Sequence, residues 1–326
     1  MRSLVVGTGS YAPEKILTNA DLEKLVETND QWIRERTGIR ERHIAAPDQA
    51  SSDLALEASK RALEMAGLDA ADVELIVVGT VTPDYPFPSC AAVLQGKLAN
   101  KKAFAFDVSA ACAGSIYALA VADRFIASGA CKNALVVGVD ALTRITDWKD
   151  RNTCILFGDG AGAMVLKGTG EAHRGLSTIR LHADGSMVQM LLQPGGGSKE
   201  PISAEVVAAG RHYVKMKGTE VYKVAVRSLE EVCREVLDAE GLKPSQVDYV
   251  IAHQANKRIL DATLHRLEIP PEKCWMNLER YGNTSSASVP TTLDEANRAG
   301  WFKPGDKILM MAIGGGMAWG GALLRW

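Results

Sequence analysis

The sequence predicts an α/β protein made of two similar halves, and two observations support this prediction. The first is residues 103–129, where a short apolar run (AFAFDV) precedes small residues (SAACAGS) and a helical pattern that ends at Gly129. The second is an internal repeat, because GLDAADVELIVVGT at residues 67–80 has the pattern of GLKPSQVDYVIAHQ at residues 241–254. We therefore expect two βαβ-type halves, residues 1–172 and 173–326, that share a site at their interface.

The composition is that of an ordinary globular protein. The chain has 326 residues, of which 47% are apolar and 23% are charged, and its net charge of −2 gives no general attraction to nucleic acid or anionic membranes. No apolar run approaches the roughly 18 residues of a membrane span, and the N-terminal one is too short for a signal peptide. The six cysteines form no CxxC motif and no cluster with histidine, which predicts neither a metal site nor disulfides. We expect reduced thiols in a cytoplasmic protein with no nucleic-acid or membrane partner.

The first strand is expected at residues 3–6 and leads into GTGSYA, which matches the G-x-G-x-x-A pattern of dinucleotide-binding proteins. That interpretation requires a helix to begin at the glycines. Pro13 and the two charged residues after it instead indicate a loop, so we do not expect a dinucleotide site.

An Arg-rich segment with one tryptophan follows a helix that is expected from Asn19 or Asp21. Charged segments of this kind usually form a solvated surface. In residues 29–45, however, Trp32 lies near Arg36 and Arg40, so the segment could also stack on a nucleotide base and pair with phosphates.

The remaining elements follow from the alternation of helical and strand patterns along the chain. In the first half we expect a helix at 52–66, a strand at 73–78, a Pro-rich connection at 80–89, the buried strand 103–108 with its helix, and a strand at 134–139. In the second half we expect an irregular region at 179–217, a long amphipathic helix at 221–239, a strand at 248–252, a helix at 290–298, and a final strand, glycine turn and strand.

Cys112 lies in the run of small residues where the strand 103–108 turns into its helix. Such a turn exposes a side chain at the sheet edge and directs helix N–H groups towards it, which is the arrangement of a nucleophile elbow. A free thiol has a pKa of about 8.5, and a helix N-terminus favours the thiolate by roughly 0.3–1 kcal/mol. The alternative is that Cys112 is a small core residue, as most buried cysteines are.

The internal repeat indicates a second position of interest. Setting Gly129 against Gly300, the glycines that end two corresponding helices, gives an offset of 171 residues and places Asn283 of YGNTSSASVP opposite Cys112. His253 follows the strand 248–252 in the motif HQAN. Taken singly, a histidine after a strand is more often structural, and an asparagine after glycine is most often a turn residue.

With these motifs, the chain resembles the β-ketoacyl-acyl-carrier-protein synthase III family, the condensing enzymes that start fatty acid synthesis. The resemblance covers nearly the whole chain, in QWIRERTGI, DVSAACAGS, FGDGAGA, HQAN, GNTSSASVP and GGGMAWGGALLRW. It implies the thiolase fold, a duplicated five-layer αβαβα architecture that is usually a homodimer. It also implies acyl-CoA and malonyl-acyl carrier protein as substrates, with no resident cofactor.

The resemblance further implies the chemistry of the three residues. Cys112 would attack acyl-CoA and hold the acyl group as a thioester, with the backbone N–H groups of Cys112 and Gly315 forming an oxyanion hole. His253 and Asn283 would then donate hydrogen bonds to the malonyl thioester oxygen as CO₂ leaves and enolate charge develops. Attack of the carbanion on the acyl-cysteine would give the β-ketoacyl product.

Binding residues are implied in the same way. They are Trp32 and Arg151 around the adenine, Arg36, Thr37, Asn256 and Arg258 at the phosphates and pantetheine arm, Phe87 and Phe157 in the acyl pocket, and Arg258, Lys257, Lys215 and Lys217 at the carrier protein. Thr219 departs from the asparagine that the best-known relatives carry in that motif, which puts its pantetheine contact in doubt. Phe87 is expected to cross the dimer interface, where a bulky ring favours acetyl or another short primer.

Four other functions compete with this hypothesis. A synthase-III-like enzyme of secondary metabolism would carry the same three residues and differ in its primer and extender. A thiolase would need a second cysteine in the C-terminal glycine turn, and IGGGMAWGG has none. A cysteine hydrolase would release free acid without a malonyl substrate. A non-catalytic protein of this fold would lack one of the three residues.

Overall fold

The computed structural model describes residues 2–171 and 173–326. Its strands are β1 (Arg2–Tyr11), β2 (Lys15–Thr18), β3 (Glu41–Ile44), β4 (Leu75–Gly79), β5 (Phe104–Val108), β6 (Asn133–Ala141), β7 (Asp159–Thr169), β8 (Gly175–Ala183), β9 (Leu191–Leu192), β10 (Lys215–Met216), β11 (Tyr249–Ala252), β12 (Lys307–Gly314) and β13 (Ala318–Arg325). Its α-helices are α1 (Asn19–Leu22), α2 (Asp30–Thr37), α3 (Ser51–Ala66), α4 (Cys90–Lys97), α5 (Gly114–Ala127), α6 (Arg151–Cys154), α7 (Ala204–Ala208), α8 (Gly218–Ala239), α9 (Lys257–Leu267), α10 (Leu278–Tyr281) and α11 (Ser288–Arg298). None of the helices in the two described ranges has both the length and the apolar character needed to cross a membrane.

Two sheets of the same design carry the fold. In the first, ordered β1-β7-β6-β4-β5, the strands β6, β4 and β5 are parallel, and β7 is antiparallel to both of its neighbours. The second, ordered β11-β12-β13-β8, repeats this pattern, because β11 and β12 are parallel and β13 is antiparallel to both of its neighbours. A parallel bridge between Val250 and Cys274 extends the second sheet at the place that β5 occupies in the first.

Alternation along the strands separates the two faces of each sheet. Leu75 and Val77 of β4 pack between the sheets with side chains of α5 and α11, whereas Ile76 and Val78 face outward with side chains of α3 and α4. The outer face of the second sheet packs on α8 and α9. The layers are therefore two outer helix pairs, two sheets, and a central layer of α5 and α11, in the order αβαβα.

The internal repeat is present, but its register at the candidate site differs from the expectation. Strands β4 and β11 begin 174 residues apart, as do helices α5 and α11 and the two left-handed residues Ala111 and Ser285. The offset falls to 171 only after α5, which has 14 residues where α11 has 11. Cys112 therefore corresponds to Ser286, and the prediction that Asn283 occupies the equivalent position is wrong by three residues.

Strand β5 lies at the edge of the first sheet, whereas the sequence predicted a buried strand. Within the described residues it pairs with β4 alone. Phe104 is exposed and Phe106 is half-buried, and both rings pack on Phe125 of α5. Apolar composition does not distinguish a core strand from an apolar edge, because aromatic and β-branched residues favour both.

The motif GTGSYA lies almost entirely in strand β1, and a short loop at Pro13 and Glu14 follows it, as expected. β1 continues through Gly7 and Gly9, and the next helix along the chain begins only at Asn19. A Cβ at either glycine would overlap a backbone carbonyl of α3, that of Ala62 or Ala58. The two glycines therefore allow a helix to pack closely on the strand, which explains the motif without a nucleotide.

Candidate active site

Cys112 lies in the turn that joins β5 to α5. Ala111, the residue before it, has a left-handed backbone (φ 45°), which is unfavourable for a residue with a Cβ and is typical of strained functional turns. Cys112 is 7% exposed and precedes α5 by two residues. Gly314, at the end of β12, packs on the Cys112 nitrogen so closely that a Cβ at position 314 would overlap it. The turn is therefore held in place by the second sheet.

Three of the predicted residues meet at one cavity. Cys112, His253 and Asn283 all line a space of about 410 Å³ between the two halves of the chain. His253 is 3% exposed and Asn283 is 7% exposed, so both side chains are largely shielded from bulk water. The structure therefore brings together the three residues that the motifs singled out.

Rigid backbone holds His253 and Asn283 on either side of the cavity. His253 directly follows β11, and its N–H donates to the carbonyl of Met311 in β12 at 2.8 Å. The N–H of Asn283 donates to the carbonyl of Leu156 at 2.8 Å, and its own carbonyl accepts from the N–H of Gly158 at 3.0 Å. Both side chains thus extend from hydrogen-bonded positions, which restricts their movement.

His253 carries a neutral imidazole at physiological pH. Burial lowers the pKa of this ring to about 4, and the backbone of Ser285 opposes the shift only in part. A neutral imidazole has one donor nitrogen and one acceptor nitrogen. Nδ1 lies 2.6 Å from the Ser288 hydroxyl, which leaves Nε2 for the cavity.

Asn283 has a defined amide orientation. Its Oδ1 accepts a hydrogen bond from the Ser285 N–H at 2.9 Å, and this contact assigns the oxygen and nitrogen of the side-chain amide. The NH₂ group is therefore the part of the amide that remains to donate. A neutral imidazole and an amide NH₂ group beside a thiol are suited to stabilise negative charge on an oxygen.

Cys112 is a protonated thiol at the inner end of this cavity, contrary to the stabilised thiolate expected at a helix end. Burial raises the pKa of the Cys112 thiol to about 12, and the carboxyl group of Asp140 adds to the rise. Asp140 is fully buried, and its carboxylate accepts hydrogen bonds from the N–H groups of Val81 and Thr82 at 2.8 and 3.2 Å. A helix end contributes roughly 0.3–1 kcal/mol, which is less than the desolvation cost of a fully buried ion.

Alkylation of Cys112 by iodoacetamide should therefore depend steeply on pH. Because the pKa of the thiol lies far above neutrality, the rate should rise about tenfold per pH unit from pH 7 to 9 without levelling off. The rate is measured by mass spectrometry of the peptide that contains Cys112, with glutathione in the same tube as a thiol of ordinary pKa. A plateau near pH 7 would instead show that the helix end dominates over burial.

A second cavity of about 410 Å³ adjoins the first at Cys112. Its apolar lining comes from Val81, Leu142, Ile145, Phe157, Leu191, Leu192, Val214 and Met317. Phe157, which the resemblance assigned to an acyl pocket, lines both cavities. Phe87 lines neither cavity of its own chain, and its side chain is 85% exposed.

Gly315 also lines the second cavity, next to Cys112. Among the described residues, the backbone N–H of Gly315 donates to no backbone carbonyl, and the backbone N–H of Cys112 lies within hydrogen-bond reach of its own sulfur. Two N–H groups at the wall of a cavity beside a thiol have the composition of an oxyanion hole.

The first cavity extends from Cys112 to the surface at α2 and α9. Trp32 and Arg36 of α2 and Arg258 of α9 line it, and the Arg36 guanidinium lies 4.5 Å from the centre of the Trp32 ring. Arg151 stands 5.2 Å from that ring and donates a hydrogen bond to the carbonyl of Glu27. A flat base between Arg151 and Trp32 would need roughly 7–8 Å, because each of the two contacts takes about 3.5–4.0 Å. The expected adenine sandwich is therefore closed in this structure.

Two other residues expected to bind the coenzyme line the cavity with their polar groups already engaged. The Thr37 hydroxyl donates to the carbonyl of Ile33 and accepts from the N–H of Ile39. The Asn256 side chain caps α9 by accepting from the N–H of Arg258 at 2.8 Å and also donates to the carbonyl of Arg36 at 3.0 Å. These side chains shape the cavity and join α2 to α9. Thr219 lines the same cavity and is exposed.

Comparison with known proteins identifies the family. Residues 106–185 match the family model described as 3-Oxoacyl-[acyl-carrier-protein (ACP)] synthase III, and residues 237–326 match the model of its C-terminal part. The chain is 53% identical over 324 residues to the β-ketoacyl-[acyl-carrier-protein] synthase III of Xanthomonas campestris pv. campestris, covering 99% of this chain and 98% of that protein. The enzyme of the same name from Caldanaerobacter subterraneus subsp. tengcongensis is 51% identical over 322 residues, with 99% and 97% covered. The crystal structure of 3-oxoacyl-[acyl-carrier-protein] synthase III from Aquifex aeolicus VF5 superposes with a TM-score of 0.92 at 48% identity, covering 99% of this chain and 100% of that one.

The chain belongs to the 3-oxoacyl-[acyl-carrier-protein] synthase III family. The predicted family, the thiolase fold and the activity class are thereby confirmed. As a member of this family, the chain is a condensing enzyme of fatty acid synthesis and an acyltransferase.

Four basic residues were expected to bind the carrier protein, and they differ in whether a carboxylate neutralises their charge. Lys257 is paired with Asp261 at 2.6 Å, and Lys215 lies 3.5 Å from Asp147. Arg258 and Lys217 are exposed and make no ion pair within the described residues, and the Arg258 guanidinium stands over the Tyr222 ring at 5.6 Å. Of these four residues, Arg258 and Lys217 therefore carry charges that no carboxylate of the described residues neutralises, and Arg258 lines the first cavity.

Sequence reasoning missed two polar residues that support the candidate site, Asp140 behind Cys112 and Ser288 behind His253. Ser288 lies within GNTSSASVP, so its nearness to Asn283 in the sequence was a usable signal. Asp140 had no such signal, because it reaches the site from β6 through the fold alone. All six cysteines are free thiols, and the described ranges contain no group of three or more His, Cys, Asp and Glu side chains that could hold a metal ion.

Proposed function

We propose that this protein transfers an acyl group from acyl-CoA to Cys112 in its first half-reaction. The observation that carries this proposal is the position of Cys112 at the junction of two cavities, one polar at its mouth and one mainly apolar. The sulfur attacks the thioester carbonyl, the oxyanion is bound by the N–H groups of Cys112 and Gly315, and CoA leaves as a thiol that takes up the Cys112 proton. The acyl chain then occupies the second cavity.

The second half-reaction uses the same first cavity after CoA has left. A malonyl thioester on the carrier protein enters, and its C–CO₂ bond breaks to release CO₂ and leave an enolate. Nε2–H of His253 and the NH₂ group of Asn283 donate hydrogen bonds to the enolate oxygen. The carbanion attacks the acyl-Cys112 carbonyl, the Cys112 sulfur leaves and is protonated, and the product is a 3-oxoacyl thioester on the carrier protein.

The coenzyme occupies the first cavity with its adenine at the outer end. Arg151 must move away from Trp32 to admit the base, since their present spacing of 5.2 Å leaves no room for one. Arg36 and Arg258 supply the positive charge for the phosphates at the cavity mouth. Thr37 and Asn256 act there mainly by holding the shape of the cavity, as their hydrogen bonds are internal.

A homodimer would complete the acyl pocket. β5 offers an unpaired edge within the described residues, and its own Phe104 is exposed, as are Tyr85 and Phe87 in the connection before α4. An apolar sheet edge of this kind is a template for pairing with a second strand. We infer that a second copy of this chain pairs at this edge, and the resemblance to the family implies that Phe87 would then reach the partner's second cavity and limit the length of the primer.

Replacing Phe87 with Thr should widen the range of primers. The ring would no longer fill the end of the pocket. In a closed pocket, each additional methylene group of the primer that does not fit lowers the rate of reaction roughly 10- to 200-fold. We expect acylation by hexanoyl-CoA, relative to acetyl-CoA, to rise at least about tenfold. The adducts are followed by intact mass, and sedimentation velocity shows that the dimer persists.

The matched control for this experiment is Tyr85→Thr, which removes a neighbouring exposed ring of the same connection. It should leave the ratio of the two primers unchanged. An unaltered chain-length profile in Phe87→Thr would show that this ring does not limit the primer. A wide profile in the unmodified enzyme would favour the alternative, a synthase-III-like enzyme of secondary metabolism.

Charge reversal at Arg258 should weaken binding of the acidic carrier protein. Arg258→Glu places a negative charge at the cavity mouth, and we expect the KM for malonyl-acyl carrier protein to rise about tenfold, an effect that shrinks as salt is added. The control is Lys303→Glu, which lies before the start of β12, at the opposite end of the sheet from the cavity. An unchanged KM in Arg258→Glu would remove this residue from the docking surface.

The function as a whole is tested by intact mass after incubation with a panel of acyl-CoAs, followed by addition of malonyl-acyl carrier protein. The expected sequence is a single acyl adduct that disappears as 3-oxoacyl-carrier protein forms. Release of free acid without malonyl substrate would instead indicate a cysteine hydrolase.

We also propose a cytoplasmic location for the protein, and we propose that acyl-CoA is a substrate and that there is no resident cofactor. The six free thiols fit a reducing compartment.

A further inference from the structure

The hydroxyl of Ser285 is a buried polar group that the reaction described above does not use. Ser285 is 1% exposed and lines the second cavity together with Cys112. Within the described residues, its Oγ makes no hydrogen bond of standard geometry. Buried hydroxyls usually have a partner, so a free one beside a nucleophile indicates a role in a state other than the resting one.

The backbone holds this side chain in a strained position. Ser285 has a left-handed backbone (φ 52°), which is unfavourable for a residue with a Cβ and is typical of functional turns. Its N–H donates to Oδ1 of Asn283 at 2.9 Å. The turn at residues 285–287 packs against the turn at residues 111–113, which carries Cys112. The hydroxyl is therefore held beside the sulfur by contacts between the two halves of the chain.

Two groups near the hydroxyl can accept its proton, the Cys112 sulfur and the Asp140 carboxylate. Burial raises the pKa of both groups, and the Ser285 hydroxyl opposes the rise in both. Asp140 already accepts hydrogen bonds from residues 80–82 and from the N–H of Ser286. Among the described residues, the sulfur has only the hydroxyl and the N–H of its own residue as hydrogen-bond neighbours. A negatively charged sulfur is therefore the group that most lacks a donor.

We propose that the Ser285 hydroxyl donates a hydrogen bond to the Cys112 sulfur when the sulfur carries negative charge. This happens twice in the proposed reaction, as the sulfur attacks acyl-CoA and as the carbanion displaces it from the acyl group. Ser285 keeps its own proton throughout, because the hydroxyl only rotates about its C–O bond and the thiol proton goes to CoA. A hydrogen bond to a charged atom is stronger than one to a neutral atom, so the contact tightens along the reaction and lowers its barrier. The inference thus rests on the proposed role of Cys112.

The test compares Ser285→Ala with Ser285→Gly. Both variants lose the hydroxyl, but glycine also relieves the left-handed backbone, so an effect shared by both is due to the hydroxyl. Acylation of Cys112 by acetyl-CoA should slow roughly tenfold or more in each variant, the effect of losing a hydrogen bond to a charged group. Alkylation of Cys112 by iodoacetamide at pH 8 should slow about 3- to 10-fold, because the thiolate fraction falls more than the reactivity of the thiolate rises.

Decarboxylation of malonyl-acyl carrier protein separates this role from a structural one. The Ser285 N–H still orients the Asn283 amide in both variants, so release of CO₂ should stay within about twofold. The matched control is Ser286→Ala, which removes a neighbouring buried hydroxyl that packs on Gly79 and Gly114 and lines neither cavity. This control should leave acylation, alkylation and decarboxylation unchanged.

Three outcomes would overturn the proposal. They are unchanged acylation and alkylation in both Ser285 variants, a loss in Ser285→Ala that Ser285→Gly restores, and a parallel loss of decarboxylation. Ser285→Gly is sufficient for the test if Ser285→Ala cannot be purified. The proposed function fails separately, if the unmodified enzyme forms no adduct with any acyl-CoA, and alkylation of Cys112 then still measures its contact with the hydroxyl.

Discussion

Cys112→Ala should give no acyl adduct with any acyl-CoA, and condensation from acyl-CoA should fall by roughly 10⁴-fold or more, as for enzymes that lose their nucleophile. No other thiol can replace it, because the remaining five cysteines are buried and lie outside both cavities. The same variant should still decarboxylate malonyl-acyl carrier protein, since His253 and Asn283 keep their backbone anchors. Intact mass measures the first half-reaction, and release of labelled CO₂ measures the second.

The control for this experiment is Cys131→Ser, which removes a buried thiol of the first half outside both cavities. It should show a normal adduct and normal condensation. Condensation from acyl-CoA that survives in Cys112→Ala would refute the assignment of the nucleophile. Loss of CO₂ release along with the adduct would mean that the thiol also takes part in decarboxylation.

The three central residues could be predicted because each lies in a short segment whose local structure depends on its own sequence. Small residues around Cys112 allow a sharp turn, HQAN follows an apolar strand, and a glycine precedes Asn283. The offset between the halves could not be predicted from the glycines alone. Helix α5 is three residues longer than α11. An alignment of the glycines that end these helices is therefore three residues off before them, and it pairs Cys112 with Asn283 in place of Ser286.

The protonation of Cys112 could not be predicted from its motif. The motif shows a helix end, which favours a thiolate, but it does not show that two halves of the chain close over the sulfur. Burial and the carboxyl group of Asp140, which comes from a different strand, reverse the direction of the pKa shift. The contact of Asn256 with α2 could not be predicted either, since its NH₂ group donates to the carbonyl of Arg36, which only the fold brings close. The Thr37 hydroxyl, in contrast, bonds to backbone atoms of its own segment, those of Ile33 and Ile39.

His253→Ala and Asn283→Ala should show the reverse of the Cys112→Ala pattern. Each removes one hydrogen-bond donor to the enolate oxygen, so decarboxylation and condensation should fall roughly 100- to 1000-fold, while acylation of Cys112 continues. Asn283→Asp is a sharper variant, because it keeps the shape of the side chain and replaces the NH₂ group with an oxygen. We expect its decarboxylation to be at least as slow as that of Asn283→Ala. The control is His265→Ala in the last turn of α9, outside both cavities.

The two sets of variants together separate the half-reactions, because one cavity serves both steps. Malonyl-acyl carrier protein can enter the first cavity only after CoA has departed from acylated Cys112. Because His253→Ala lacks a donor for decarboxylation, its acyl adduct should accumulate and stay intact when malonyl substrate is added. Normal product formation in that variant would contradict the donor role of the ring. Loss of the adduct as free acid would mean that water reaches the thioester, which the low exposure of Cys112, His253 and Asn283 argues against.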